Sequence, residues 1–360
     1  MQRLILMNKK ENPFAFILKK ILCTFIVILV FTKTGHSQLT VLRLFEEADS
    51  FMKKGLYNDA IKKYDSVLFY QTNNAMLFYN LALAHINLQN YGKALVHLNK
   101  CLTIDTSLID AYFNRAFVNQ ILRNDAFAIG DYNIYLTQYP NDAEALLARG
   151  KLHLAQKEPL LAINDISAYT KQIKTNDEAY LALFFCYKMS DQQEKAIIYI
   201  DSAINIRPFQ YKYYELKGNL LFDMRKFPDA CQSYDKLLKY QPHNTAILDA
   251  KAEAKFQIGL INDAVEAMEK ALDYEPMNKG FMYDKAFYLL QAKRYPEALE
   301  AINKLIDLKY KDSANSFFIR AVINNNLGYA EAACADFEKS GQLGNTEAPA
   351  YAAKLCNDNN

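Results

Sequence analysis

A recurrence of 34 residues constrains this chain more than any other feature. Alanine stands at 60, 94, 128, 162, 196, 230, 264 and 298, each step 34 residues, and a last step of 35 reaches Ala333. Twelve residues before each comes a small side chain, Ala48, Ala82, Ala116, Gly150, Gly218, Ala252, Ala286 and Ala321, with Phe184 the exception. Four residues after each comes a large apolar one: Tyr64, Leu98, Tyr132, Ile166, Ile200, Tyr234, Met268, Ile302 and Phe337. Four residues is about one helical turn, so the alanine and its large neighbour face the same core. Two small positions per repeat mean two helices in close contact. Pro140, Pro208, Pro242 and Pro276 fall twelve residues after the alanine, where a residue without an N–H stops the second helix. Each unit reads helix, short turn, helix, loop.

Composition points the same way. Only 11 Gly and 9 Pro among 360 residues leave little turn chemistry for a many-stranded sheet, so the class is all-α. The formal charge of +2 comes from residues 1–37, which hold Arg3, Lys9, Lys10, Lys19, Lys20 and Lys33 against Glu11 alone. The remainder is mildly acidic and has no basic stripe to neutralise phosphates, which argues against nucleic acid as a partner.

Lys19 and Lys20 precede an apolar run from Ile21 to Phe31, then polar Thr32–Thr34 and Gly35-His36-Ser37. That order is a secretory signal peptide over residues 1–37, with cleavage expected before Gln38. The run is shorter than the roughly 20 residues that span a bilayer. The alternative is an uncleaved anchor over residues 14–31, in which Lys19 and Lys20 snorkel. The expected localisation is therefore exported, periplasmic or extracellular, with membrane attachment only through that anchor.

Period 34 with these small, large and proline positions resembles the tetratricopeptide repeat, over Val41 to about Asn345. The resemblance implies a right-handed superhelical solenoid of about nine helix-turn-helix repeats, starting near 41, 75, 109, 143, 177, 211, 245, 279 and 314. The array would occupy 38–345, and 346–360 would form a C-terminal capping helix and tail, since end repeats need a polar cover. Departures from the family pattern exist. There is no Trp, and Phe184, Tyr135 and Tyr169 stand where smaller residues are usual, so wider helix spacing is expected around them.

Arg and Asp recur sixteen residues apart as Arg115/Asp131, Arg149/Asp165 and Arg320/Asp336, a spacing that suits a bridge between the two helices of a hairpin. His85 and His153 occupy one equivalent core-side position two repeats apart and cannot share a metal, so no metal site is expected. No phosphate-cradling glycine loop or nucleophile elbow occurs. Neither catalysis nor a cofactor is expected. Of the cysteines beyond residue 37, Cys101, Cys186, Cys231, Cys334 and Cys356, the best pair is Cys334 with Cys356. The first lies on the last repeat's second helix and the second near the end of the antiparallel cap, and export would let the bond form.

In the resembled family the first helices line a concave groove. The positions that point into it carry Tyr79, Asn80, Leu83, Phe113, Asn114, Phe117, Lys151, Phe185 and Lys188 here, which the resemblance makes a peptide-binding set. Asn80 and Asn114 could hydrogen-bond an extended backbone. The competing reading is that Phe113, Phe117 and Phe185 pad the inner helix packing. Two functional classes remain. One is an interaction scaffold of the bacterial cell envelope that binds a polypeptide partner in its groove. The alternative is a non-catalytic carbohydrate or small-ligand receptor that would stack its ligand on some of the 25 tyrosines.

Overall fold

The computed structural model describes residues 38–308 and 313–356. The expected signal segment lies outside them. The described residues form nineteen helices and no strand. They divide into two compact units, the first ending at Gln156 and the second beginning at Lys157.

The first unit contains α1 (38–53), α2 (Tyr57–Leu68), α3 (Ala75–Asn87), α4 (Tyr91–Ile104), α5 (Ile109–Ile121), α6 (Asp125–Gln138) and α7 (Ala143–Ala155). The second contains α8 (Pro159–Gln172), α9 (Asp177–Met189), α10 (Gln193–Ile206), α11 (Tyr211–Asp223), α12 (Phe227–Leu238), α13 (Thr245–Gln257), α14 (Ile261–Tyr274), α15 (Lys279–Gln291), α16 (Tyr295–Asp307), α17 (Ser313–Asn326), α18 (Ala330–Gln342) and α19 (Ala348–Cys356). Odd-numbered helices through α17 are the first members of successive pairs. In each unit a helix packs mainly against its hairpin partner and then against the helix that follows.

Local chemistry fixes where these helices begin and turn. Asn74, Asp142, Asn176 and Asn244 cap α3, α7, α9 and α13, each side-chain oxygen accepting from the backbone N–H three residues on at 2.9–3.2 Å. Asn278 does the same for α15. Within the hairpins a single residue in the left-handed region reverses the chain. It is Gly at 55, 259 and 328, but Gln89, Arg123, Lys157, Asp191, Arg225 and Lys293 elsewhere, with φ of 55–63°. Asn90 N–H donates to the His85 carbonyl, Lys226 N–H to Leu221 and Leu260 N–H to Lys255, closing the same helix-ending loop whichever residue sits at the turn. A side chain there costs about 1 kcal/mol relative to glycine. Gln89→Gly and Arg225→Gly should therefore each stabilise their unit by about that amount, and Gly259→Ala should destabilise by as much, measured by urea denaturation.

The core follows the 34-residue register. Every alanine of that series is fully or almost fully buried, and Tyr64, Leu98, Tyr132, Ile166, Ile200, Tyr234, Met268, Ile302 and Phe337 are buried beside them. The tyrosines keep their hydroxyls paired: Tyr64 donates to Asp49 at 2.5 Å and Tyr234 to Asn219 at 2.9 Å. Tyr135 and Tyr169 reach out of their helices to loop residues. Tyr135 donates to Asp142 at 3.1 Å and Tyr169 accepts from Asn176 at 2.8 Å, so both bulky rings are buried without a polar penalty. Phe184 is also buried.

Arg115 Nε and Nη2 bridge α5 to α6 through both Asp131 oxygens, at 2.8 and 2.7 Å, while Nη1 reaches Asn99 on α4 at 3.0 Å. Arg320 repeats the arrangement with Asp336 at 2.8 and 2.7 Å and with Asn303 on α16 at 3.0 Å. One guanidinium thus ties three helices together in each unit. At the C-terminal end, α19 is capped by Asn345, which accepts from the Glu347 and Ala348 N–H groups at 2.9 Å. A disulfide joins Cys334 on α18 to Cys356 on α19, and Tyr351 lies against Phe318 and Phe337. Cys101, Cys186 and Cys231 are buried free thiols.

Candidate binding surface on the first helices

The nine groove positions divide between the units, Tyr79 to Lys151 in the first and Phe185 and Lys188 in the second. On α3 and α5, Asn114 Nδ2 donates to the Tyr79 hydroxyl at 3.0 Å and to the Asp110 carbonyl at 2.9 Å. The Asn114 amide nitrogen, expected to meet a guest backbone, is therefore engaged in tying α5 to α3. Asn80 is half-buried and lies against the Tyr64 hydroxyl; burial and the Asp49 carboxylate push the Tyr64 pKa up while Asn80 opposes them. Leu83 and Lys151 are half-buried on α3 and α7.

The phenylalanines behave differently from one another. Phe113 is half-buried, its ring 5.8 Å from Tyr132 and 5.0 Å from Tyr135, so it belongs to the packing between α5 and α6. Phe117 touches Tyr91 only edge-on at 6.4 Å and remains 38% exposed. Phe185, at the equivalent position of α9, remains 37% exposed. Lys188 faces Asp223 on α11 at 3.7 Å, both side chains being about half in solvent. In both units the same position thus leaves more than a third of an aromatic side chain open to solvent.

A second cluster escaped the sequence reading. Asp249 and Glu253 on α13 and Asp284 on α15 share one neighbourhood, with the Tyr288 hydroxyl donating to Glu253 at 2.9 Å. Burial, then Asp249 and Glu253, push the Asp284 carboxyl up to about 6, and burial followed by Glu253 raises Asp249. These are the first-helix positions that selected Tyr79, Asn80 and Leu83, applied two-thirds of the way along the chain. A carboxyl whose folded pKa exceeds its unfolded value holds more protons when folded, so stability falls as pH rises from about 4 through 6. Asp284→Asn should stabilise the second unit at pH 7 by on the order of 1 kcal/mol, after allowance for solvent screening. The gain should vanish near pH 4, as followed by thermal melts across pH.

His85 and His97 stack with ring centroids 5.3 Å apart and planes 4° from parallel, and the buried His85 Nδ1 has no hydrogen-bond partner. Burial lowers the pKa of both, assisted at His85 by His97 and Lys93 and opposed by Asp65. Among the described residues, no three His, Cys, Asp or Glu side chains come together as a metal site, and no helix is long and apolar enough to cross a membrane.

The comparisons with known proteins fit this construction. The tetratricopeptide repeat family model matches residues 45–105 and 250–314. Sperm-associated antigen 1 of Homo sapiens is 38% identical over 61 residues, 17% of this chain, and the chain spans only 7% of that relative's length. The C-terminal part of a repeat-containing protein of the same kind from Cytophaga hutchinsonii aligns over 67% of this chain and 98% of its own, with 17% identity and a TM-score of 0.52, a likeness of fold. A tetratricopeptide repeat protein from Parabacteroides merdae aligns over 70% and 99%, with 20% identity and a TM-score of 0.45.

Proposed function

Because the chain is a tetratricopeptide repeat protein, built on a fold that serves generally as a non-catalytic scaffold for protein partners, we propose that each of its units binds extended polypeptide on the exposed faces of its first helices. The observation that carries this is the pair Phe117 and Phe185. Rings left a third or more in water at one repeated position give up the stabilisation their burial would bring, as expected for a surface completed by a partner.

We further propose that the partner belongs to the bacterial cell envelope and that residues 1–37 export the chain. The Cys334–Cys356 bond supports this, since disulfides persist in oxidising compartments. The test is affinity capture from an envelope extract with the wild-type chain and with Phe117→Ser and Phe185→Ser. A defined polypeptide retained by the wild-type chain and lost from the variants is the expected result. Retention of glycans, with no polypeptide sensitive to either substitution, would favour the carbohydrate-receptor reading instead.

A further inference from the structure

The loops between repeats in the first unit enclose two adjoining open clefts of about 750 and 450 Å³ that share Met76 and Leu108. They form one trough along the edge of the unit. Each cleft taken singly falls in the range of about 300–1,000 Å³ typical of ligand clefts. Met76 and Tyr139 are both more than two-fifths exposed, so apolar surface lies open along the trough. Tyr79, pinned by Asn114, and Tyr139, its ring tilted at 45° against Tyr135 with centroids 5.0 Å apart, supply two held aromatic walls.

The charged side chains lining the trough have one sign. Asp105 lines the first cleft and Asp110 the second, and the lining residues include no Lys or Arg. Asp105 is held as a carboxylate by Ser107, whose N–H and hydroxyl donate to it at 2.8 and 2.6 Å. Asp110 sits exposed in the first turn of α5, where its carboxylate more than offsets the partial positive charge of that helix end. Carboxylates beside aromatic faces suit a planar cation that can stack and donate hydrogen bonds in the same plane.

Resting on the reading that the partner is a polypeptide, we propose that this trough takes a basic stretch of it, with an arginine side chain seated between Tyr79 and Tyr139 against Asp110. Lysine would satisfy the charge but could not pair a flat face with the rings while donating in-plane. The trough meets the first-helix face at Tyr79, so one strand can lie along both.

The probes are two blocked tripeptides, acetyl-Gly-Arg-Gly-amide and its citrulline counterpart, which keeps the shape and removes the charge. Titration onto the full chain, followed by saturation-transfer NMR, should give arginine binding about tenfold tighter than citrulline binding, equivalent to about 1.4 kcal/mol. Asp110→Asn should abolish that preference, Tyr139→Leu should weaken both probes, and added salt should weaken arginine alone. Both substituted residues are surface-exposed, and a circular dichroism spectrum verifies that the fold persists. Equal binding of the two probes, no detectable arginine binding, or a preference untouched by Asp110→Asn would overturn the proposal. The capture experiment above keeps the two readings apart. A Phe117-dependent polypeptide partner combined with a failed arginine probe removes only the trough, whereas absence of any polypeptide partner removes the reading on which it rests.

Discussion

Asp131→Ala should cost the first unit about 3 kcal/mol, and the loss should appear as faster hydrogen exchange through α5 and α6 and a lower urea midpoint. The carboxylate is buried and accepts two hydrogen bonds from Arg115. Alanine would leave the Arg115 side chain, more than three-quarters enclosed, with Asn99 and the face of Tyr112, whose ring centroid lies 5.5 Å away. The penalty comes from stranding a charge rather than from losing an attractive pair. The double variant Arg115→Met, Asp131→Leu should therefore recover most of the stability. If the single and double variants lose equal amounts, the ion pair is contributing attraction in its own right and this account of it is wrong.

Cys356→Ser should release the C-terminal helix. The bond closes a loop with a sequence separation of 22, for which chain entropy gives about 3 kcal/mol. Without it α19 is a nine-residue helix with a single buried residue, Ala348, and a helix that short is marginal in water. The residual contacts of Tyr351 with Phe318 and Phe337 and the Asn345 cap oppose its departure. We expect α19 amides to exchange at rates near those of an open chain, while α17 and α18 keep their protection through Arg320 and Asp336. Protection of α19 equal to that in the oxidised protein would show that packing alone secures the cap.

The fold was legible because its signal is repeated. A small residue and a large one recurring every 34 residues specify which face each helix buries, and the burial of Ala60, Ala94 and their successors follows directly. The sixteen-residue spacing likewise identified Arg115 with Asp131 and Arg320 with Asp336, but not their third partners Asn99 and Asn303, which lie on a preceding helix. The turns were less legible. Among the described residues, six of the nine left-handed positions within the repeat hairpins carry a side chain that propensity does not associate with that conformation, because hairpin packing imposes it. The caps at Asn74, Asn176 and Asn244 were readable from residue type alone but are easily lost among many asparagines.

The surface was the least legible part. Phe113 and Phe117 both stand at groove positions, four residues apart, yet only Phe113 is taken up by the core, because Tyr132 and Tyr135 on α6 offer it two rings. Nothing local to either phenylalanine encodes that difference. Asp249, Glu253 and Asp284 were missed for another reason. Acids on a helix read as solvated surface until the neighbouring helix is known to bring a second set against them.

Photo-crosslinking tests the central claim most directly. A photoreactive phenylalanine placed at 117 and at 185, on the first-helix faces, is to be compared with one at Val96 and at Ile198, which are well exposed on second helices. Crosslinks to polypeptide from 117 and from 185, with none from 96 and 198, are the predicted outcome. Crosslinks from the second-helix positions alone, or no polypeptide adduct from 117 and 185 in envelope extract, would contradict it.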